Sequence, residues 1–237
     1  MKRLSDKVAI ITGGTGGLGK AVMAVFLAEG AHVLSTYRKE EELEECRALR
    51  EEYKTRVAFG KADVTKASHV SNLVLKTLEK FSRIDALVNI VGGFTQSPLA
   101  DTDEETWDRM MSMNLKSVFL CSRGVIPHMV EQGRGSIVNI ASRPALRGAP
   151  GLSAYGASKA GVLNLTQSMA EELKDSNINV NAVIPGTIHT PANRKSMPDA
   201  DFTKWVVPED IAKVIAFLCS DDARVVSGAA VPVYGKS

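Results

Sequence analysis

The sequence predicts an α/β fold with a doubly wound, seven-stranded parallel sheet and helices on both of its faces. Three observations predict this fold. Short β-branched runs alternate with helical stretches, turn residues bound each run, and apolar residues recur at three- and four-residue spacing in the helical stretches. Strands joined in this way form right-handed βαβ units. Because no repeat or low-complexity linker interrupts the alternation, we expect one domain over residues 1–237.

The individual elements follow from the same patterns. The predicted strands cover residues 7–12, 31–37, 56–63, 85–92, 135–142, 178–186 and 229–235. The helical stretches between them include residues 18–30, 67–81, 115–133 and 209–220. The charge-dense run 38–54 predicts a further, solvated helix with ion pairs at i,i+4 spacing.

Composition and charge exclude several classes of protein. The chain has 237 residues, 44% of them hydrophobic, which is enough for a full core. Its formal charge is +2, and the charges are interspersed, so we expect no nucleic-acid partner. The apolar run near the start stops at glycines and is too short for a signal peptide or a membrane span. We therefore expect a soluble, cytoplasmic protein without a membrane partner.

The cysteines and histidines give no sign of a metal site. The three cysteines lie far apart, without a CxxC motif, so the sequence predicts neither a disulfide framework nor a zinc site. The histidines are scattered, and we interpret each as a surface or hydrogen-bonded structural residue. They are His32, His69, His128 and His189.

A glycine-rich turn, TGGTGGLG, occupies residues 12–19, where the first predicted strand passes into the first helix. Glycines there permit a tight turn, let the backbone approach a pyrophosphate and leave the helix N-terminus open to negative charge. Two registers fit, GxGxxG from Gly14 and TGxxxGxG from Thr12. A tight turn alone could select some of these glycines, but the position inside a βαβ unit favours a dinucleotide-binding, Rossmann-type domain.

The end of the second predicted strand, STYR at residues 35–38, bears on the choice of dinucleotide. A carboxylate at this point bonds the ribose 2′-hydroxyl of NAD, whereas an arginine suits the 2′-phosphate of NADP. Tyr37 stands where the carboxylate would be, and Arg38 follows it. We therefore expect NADP(H) to be favoured over NAD(H). The alternative is that Arg38 pairs with Glu41 or Glu42 of the following helix.

Tyr155 and Lys159 lie four residues apart in the stretch LSAYGASKAG, residues 152–161. On a helix they share one face, so the ammonium can lie near the phenol. A neighbouring cation lowers the pKa of a phenol and makes it a usable acid or base near neutral pH. The small residues around the pair would let a flat ring approach the helix. A surface pair is the alternative when this motif is taken alone.

Several motifs together resemble the short-chain dehydrogenase/reductase family, over essentially the full chain and in the family's order. They are TGGTGGLG, ADV at 62–64, VNIVGG at 88–93, Asn114, Ser142, YGASK at 155–159 and PGTIHT at 185–190. The resemblance implies that Tyr155 donates and accepts the proton and that Ser142 orients the substrate oxygen. It also implies that Lys159 lowers the tyrosine pKa and holds the nicotinamide ribose, and that Asn114 supports a water-linked proton path.

The resemblance implies further contacts and partners. A small-molecule carbonyl or alcohol would be the substrate, no metal would take part, and the chain would form a homodimer or homotetramer. The cofactor half would span about residues 1–110 and the catalytic half about 111–237. The implied cofactor-binding residues are Gly13, Thr15, Gly17, Leu18, Gly19, Tyr37, Arg38, Asp63, Val64, Asn89, Gly92, Tyr155, Lys159, Pro185, Gly186, Ile188 and Thr190.

The leading functional hypothesis is an NADP(H)-dependent oxidoreductase that interconverts a carbonyl and a secondary alcohol, of the 3-oxoacyl-carrier-protein-reductase-like type. Two alternatives stay open. Residues 190–205, 148–170 and 91–94 resemble segments of dihydropteridine reductase, which would imply pterin reduction. A dinucleotide sensor without turnover is less favoured, because such proteins commonly lack the tyrosine or the lysine. Neither the physiological substrate nor the reaction direction follows from the sequence.

The least regular part of the chain, residues 187–207, is rich in proline and polar residues. Such a segment would cross the carboxyl ends of the strands, where open α/β sheets bind ligands. We expect it to act as a substrate lid, with Phe202 and Trp205 closing over the substrate. The alternative is that Trp205 packs against the last helix as a core residue.

Overall fold

The sheet contains the seven predicted strands, all parallel. The computed structural model describes residues 2–236. Within them the strands are β1 (Val8–Thr12), β2 (His32–Tyr37), β3 (Val57–Lys61), β4 (Ala86–Asn89), β5 (Gly135–Ile140), β6 (Ile178–Pro185) and β7 (Ala230–Val233). Each strand lies inside its predicted range but is shorter. The final residues of the ranges, such as Gly92 and Ser142, therefore lie beyond the sheet, in loops above its carboxyl edge.

The strand order is β3-β2-β1-β4-β5-β6-β7, which confirms the doubly wound α/β fold. The first strand pairs with β2 on one side and with β4 on the other, so the winding direction reverses at β1. Thr12 and Asn89 stand opposite each other at the carboxyl ends of β1 and β4. A crevice outside this point is the usual ligand-binding place of such sheets.

Within residues 2–236, eight α-helices accompany the sheet. They are α1 (Gly17–Ala28), α2 (Arg47–Glu52), α3 (Ala67–Phe81), α4 (Glu104–Met110), α5 (Ser117–Glu131), α6 (Ser153–Leu173), α7 (Pro191–Ser196) and α8 (Pro208–Leu218). A π-helical turn, Met111–Lys116, joins α4 to α5 without a break in the helical path. The predicted helical stretches around α1, α3, α5 and α8 are confirmed.

The core divides into two layers, one on each face of the sheet. On one face α1 and α8 pack on alternate strand residues, with Phe26 and Ile215 fully buried beside Ile11. On the other face α3, α5 and α6 cover the intervening residues, represented by Ile10 and Leu87. Because successive strand side chains point to opposite faces, the near-continuous apolar runs of the strands supply both layers.

The prediction of one regular helix over residues 38–54 is wrong. The run forms a 3₁₀ helix, Glu40–Cys46, followed by the short α2. Its acidic residues repeat at i,i+4 spacing, which disfavours an α-helix through repulsion. In addition, the Glu42 carboxylate folds back and accepts hydrogen bonds from Thr15 and from the Arg38 backbone. Arg47 does form the expected kind of ion pair, with Glu44 and Glu51.

The segment 187–207 is irregular, as predicted, but it is anchored to the domain. An isolated parallel bridge joins Ile188 to Val206, and the His189 N–H donates to the Val206 carbonyl at 2.8 Å. The segment contains only α7 and the 3₁₀ turn Phe202–Lys204. No helix in residues 2–236 combines the length and apolar character that a membrane crossing requires.

Candidate active site

Two adjoining cavities open at the carboxyl edge of the sheet. A cleft of about 470 Å³ lies beside the glycine-rich turn and the ends of β2 and β3. A cavity of about 740 Å³ lies between the end of β5, α6 and the start of residues 187–207. Leu18, Ile90 and Gly92 line both, so the two form one continuous crevice above β1 and β4. This is the position that the strand order predicts for a ligand.

The glycine-rich turn has the geometry of an anion cradle. Gly13 adopts a φ of +69°, which side-chain-bearing residues rarely adopt, and a Cβ at Gly19 would collide with the Gly13 carbonyl. The N-cap of α1 is Gly16, no side chain caps the helix, and its first turn contains no acidic residue. The N–H groups of the first turn and the positive end of the helix dipole therefore face the cleft. These features fit the pyrophosphate of a dinucleotide.

Hydroxyl side chains hold the loops around the cleft. The Thr12 hydroxyl accepts hydrogen bonds from the Ile90 and Val91 N–H groups at 2.9 and 3.2 Å, which ties the loop after β4 to the end of β1. The Gly13 N–H donates to the Thr36 hydroxyl at 2.7 Å, which ties the glycine turn to β2. The crevice is therefore built on three neighbouring strands.

Arg38 and Glu42 line the far end of the cleft with opposite charges. The Arg38 guanidinium forms no ion pair within residues 2–236, and only its backbone N–H donates to Glu42, at 3.2 Å. The alternative that the Arg38 side chain is paired with Glu41 or Glu42 is therefore not realised. Burial raises the pKa of Glu42, but hydrogen bonds from Thr15 and from the backbone outweigh it and lower the pKa overall. Glu42 is ionised at neutral pH.

Ser142, Tyr155 and Lys159 line the larger cavity together. Ser142 follows β5, and Tyr155 and Lys159 lie one turn apart on α6, as the sequence spacing predicts. The Phe94 ring packs edge-on against the Tyr155 ring, with 5.0 Å between centroids. Because the larger cavity adjoins the cofactor cleft, the side chains of Ser142, Tyr155 and Lys159 lie together beside the mouth of that cleft.

The pKa of Tyr155 lies above its ordinary value, whereas the sequence predicts a lowered pKa. Burial raises it, and a hydrogen bond with Ser142 acts in the opposite direction without reversing the shift. Lys159 does not contribute to the shift in this structure. The lowered pKa that the sequence predicts for Tyr155 is therefore not seen, because burial of the phenol dominates.

Lys159 is buried and donates to the Ile140 carbonyl at 2.7 Å. Burial lowers its pKa to about 8, since the charged form loses its hydration. A Cβ at Gly92 would lie 3.3 Å from the Lys159 Nζ and 2.8 Å from the Asn114 Oδ1. The glycine at position 92 thus leaves room for both side chains beside the loop after β4.

Asn114 lies in the π-helical turn and does not line either cavity. Its Oδ1 accepts from the Gly93 N–H at 2.8 Å, and its Nδ2 donates to the Gly93 carbonyl at 3.1 Å. The same Nδ2 donates to the Ser158 hydroxyl at 2.9 Å, and Ser158 donates to the Tyr155 carbonyl at 2.7 Å. The side chain therefore ties the loop after β4 to the helix that presents Tyr155.

Most of the sequence-predicted cofactor residues line the crevice. The exceptions are Asn89, which is buried in the sheet and donates to Asn139, and Thr190, whose methyl group packs close to Gly17. Sequence reasoning missed several lining residues that follow strands or come from helix-joining segments. They are Gly16, Glu42, Ala62, Thr65, Ile90, Val91 and Met113 in the cleft and Phe94, Gln96, Arg143, Pro144, Asn193, Ser196 and Met197 in the cavity. Some of them had a sequence signal, because the glycine-rich turn, the ADV and VNIVGG motifs and the predicted lid contain them, whereas the others had no signal beyond proximity to strand ends.

In this structure the predicted lid aromatics, Phe202 and Trp205, do not line the cavity. Trp205 packs at 4.8 Å from Phe202 and at 6.2 Å from His189, between ring centroids, and none of the three rings lines the cavity. Asn193, Ser196 and Met197, from α7 and its end, contribute to the cavity wall instead. The aromatic cluster braces the base of the segment, because His189 lies beside Ile188, which does line the cavity.

The fold and the crevice define a dinucleotide-binding α/β domain with acid–base side chains beside its cofactor cleft. A model of the short chain dehydrogenase family matches residues 7–201. The chain is 38% identical to the 3-oxoacyl-(acyl-carrier-protein) reductase FabG of Thermotoga maritima, with 98% of each covered. Levodione reductase has a TM-score of 0.92 at 35% identity, with 98% of each chain covered. ElxO, solved with NADP bound, has a TM-score of 0.91 at 32% identity over 97% of each chain.

The chain belongs to the short-chain dehydrogenase family. It is an oxidoreductase of the kind that acts on CH–OH or C=O groups with a nicotinamide cofactor, as its relatives are.

Proposed function

We propose that the protein is an NADP(H)-dependent oxidoreductase that interconverts a carbonyl and a secondary alcohol, with Tyr155 as proton donor and acceptor. The observation that carries the proposal is the meeting of Ser142, Tyr155 and Lys159 on one cavity wall that adjoins the dinucleotide cleft. A proton donor and a cofactor cleft must lie side by side for a carbonyl to receive a proton on oxygen and a hydride on carbon.

Different residues of the cleft would hold different parts of the cofactor. The glycine turn and the start of α1 would receive the pyrophosphate, Asp63 and Val64 would face the adenine, and Ile188 and the loop after β6 would receive the carboxamide. When bound, the nicotinamide supplies or accepts hydride at the substrate carbon. Lys159 lines the adjoining cavity beside Gly92, a residue shared with the cleft, and from there it would hold the nicotinamide ribose.

The cavity residues hold and donate the proton that the substrate oxygen receives. An ordinary phenol is protonated at neutral pH, and burial raises the pKa of Tyr155 further, so the neutral Tyr155 phenol can donate its proton in carbonyl reduction. Ser142 hydrogen-bonds the same phenol and can donate to the substrate oxygen, which places two donors at the point where negative charge develops. Lys159, with a pKa of about 8, is still mainly protonated at pH 7, and its ammonium would hold the nicotinamide ribose when the cofactor is bound.

The preference for NADP(H) rests on Arg38. Its guanidinium lines the cleft without a carboxylate partner within residues 2–236 and is available to a 2′-phosphate. Glu42 acts against this preference, because its carboxylate lies at the same end of the cleft. We propose that Arg38 outweighs Glu42, since only the arginine side chain has its hydrogen-bonding capacity uncommitted.

A second candidate is reduction of a quinonoid dihydropterin. The segment that resembles dihydropteridine reductase, residues 190–205, supplies Asn193, Ser196 and Met197 to the cavity wall. A flat, polar ring could pack beside Phe94 and bond to the neutral amide of Asn193. This candidate differs from the first in substrate and shares the same cofactor cleft.

A panel of carbonyl compounds tests the proposal. Cyclic and linear ketones, 3-oxoacyl thioesters and a quinonoid dihydropterin are each offered with NADPH and with NADH, and the nicotinamide absorbance is followed. The proposal expects turnover of at least one ketone or oxoacyl compound, with a lower KM for NADPH than for NADH. Turnover confined to the dihydropterin favours the second candidate. Tight NADPH binding without any turnover favours a sensor.

We also propose a homodimer or homotetramer. Trp107 on α4 and Phe119 on α5 are 38% and 44% exposed, which is unusual for large apolar side chains on neighbouring helices. Light scattering on the purified chain measures the mass directly, and a monomer at micromolar concentration contradicts this part of the proposal.

A further inference from the structure

The substrate cavity has a one-sided charge. Its described lining includes two cations, Arg143 and Lys159, and no carboxylate. The remaining wall is apolar, as at Phe94, Pro144 and Met197, or carries neutral polar groups. In a partly enclosed cavity with low-dielectric walls, an unbalanced cation attracts anions more strongly than it does at an open surface.

Lys159 is not the group that is available to a substrate anion. It is buried, donates to the Ile140 carbonyl at 2.7 Å and lies beside Gly92, at the junction with the cofactor cleft. The other cation of the lining is Arg143, which is an exposed residue.

The Arg143 side chain packs on an aromatic ring, but its N–H groups form no hydrogen bond within residues 2–236. It directly follows Ser142, whose backbone is extended, and it begins the 3₁₀ turn Arg143–Ala145. The guanidinium carbon lies 5.0 Å from the centroid of the Tyr234 ring. Within residues 2–236 its side chain donates no hydrogen bond and forms no ion pair. A ring-face contact fixes a guanidinium while its in-plane N–H groups remain able to bind a carboxylate in bidentate fashion.

We infer that Arg143 selects carbonyl substrates that carry a carboxylate, so that the enzyme acts on oxo acids or on the corresponding hydroxy acids. The inference rests on the proposed function, because it places the reacting oxygen at Ser142 and Tyr155. Because Arg143 and the Ser142–Tyr155 pair line the same cavity, one substrate would carry both the carboxylate and the reacting carbonyl, joined by an apolar linker. Phe94, Pro144 and Met197 provide apolar surface for that linker.

A series of oxo acids, each paired with its uncharged methyl ester, tests this inference. The acids differ in the number of methylene groups between the carbonyl and the carboxylate. The kcat/KM ratio of acid to ester is measured for the wild type and for Arg143→Met, Arg143→Lys and Arg147→Met. Arg147 is exposed, lies four residues further along the same loop and does not line the cavity, so it controls for the loss of a nearby surface charge.

We expect the wild type to prefer at least one acid over its ester by about tenfold or more. This preference is lost in Arg143→Met, is partly kept in Arg143→Lys, and is unchanged in Arg147→Met. The loss should appear mainly in KM for the acid, because the arginine binds a group remote from the reacting bond.

Failure of the Arg143 inference and failure of the proposed function give different results in this experiment. If the esters are reduced but no acid is preferred, or if Arg143→Met keeps the preference, the inference is overturned while the proposed function stands. If neither acids nor esters nor any compound of the carbonyl panel is reduced, the proposed function fails and the inference fails with it.

Discussion

The Thr15 hydroxyl donates a hydrogen bond to the Glu42 carboxylate at 2.7 Å, across the mouth of the cofactor cleft. This contact places a negative charge beside Arg38, at the end of the cleft where NAD and NADP differ. The glycine-rich turn and the 3₁₀ helix after β2 are joined there. We propose that the opposing charges of Arg38 and Glu42 set the cofactor preference, and each side chain can be substituted separately.

Arg38→Asp should shift the preference toward NADH. The new carboxylate repels a 2′-phosphate and can accept a hydrogen bond from a free 2′-hydroxyl. The ratio of kcat/KM for NADPH to that for NADH is expected to fall by about tenfold or more. A wild type that already prefers NADH would contradict the role given to Arg38.

Glu42→Gln should act in the opposite direction. The amide can still bond to Thr15 but carries no charge, so KM for NADPH is expected to fall by about fivefold while KM for NADH changes little. Glu41→Gln removes the same charge from an exposed position of the same 3₁₀ helix and serves as the control. Equal effects of the two substitutions would mean that a general surface field, and not Glu42, opposes the phosphate.

The lowered pKa of Lys159 predicts a pH-dependent stability. The folded protein binds this proton with a pKa of about 8, against an ordinary value of 10.5. Between these values the unfolded chain holds more protons, so the free energy of unfolding rises with pH. Below pH 8 both states are protonated and Lys159 adds no slope. Relative to Lys159→Met, the wild type should gain on the order of 3 kcal/mol between about pH 7 and about pH 10.

Urea unfolding of the cofactor-free wild type and the Lys159→Met variant at these two pH values measures this difference. Other groups titrate in both proteins, so their contributions cancel in the comparison. If the free energy of unfolding changes with pH equally in the two proteins, burial does not lower the pKa of Lys159 in the folded state.

Trp205→Ala should affect the substrate more than the cofactor. The aromatic cluster with Phe202 and His189 braces the segment that carries Ile188 into the cavity. Loss of the indole is expected to raise KM for the carbonyl substrate by about fivefold and to lower stability by about 1–2 kcal/mol. NADPH affinity, measured by fluorescence titration, should change little. A lower Tm with unaltered kinetics would make Trp205 a purely structural residue.

The sheet and the Ser142, Tyr155 and Lys159 set could be predicted from the sequence because local patterns determine them. β-Branched runs bounded by turn residues specify strands, and four-residue spacing on a helix specifies a shared face. The strand order then brings the end of β5 and the start of α6 to the same edge. No contact between distant residues had to be known for this part.

The remaining features depend on tertiary contacts that no local pattern contains. Glu42 enters the cleft because a 3₁₀ helix folds its carboxylate back onto Thr15. The Tyr155 pKa is raised because surrounding structure buries the phenol, whereas the sequence shows only its neighbouring lysine. Arg143 lines the cavity, and its guanidinium packs on the ring of Tyr234, which comes from the far end of the chain.

The central claim is that the Tyr155 hydroxyl transfers the proton, and Tyr155→Phe tests it most directly. The substitution keeps the ring and its contact with Phe94 but removes the only phenolic proton at the cavity wall. Turnover of the best carbonyl substrate with NADPH should fall by about 100-fold or more, while NADPH binding and Tm stay close to the wild type. Turnover within a few-fold of the wild type, in a variant that folds and binds NADPH, would contradict the account.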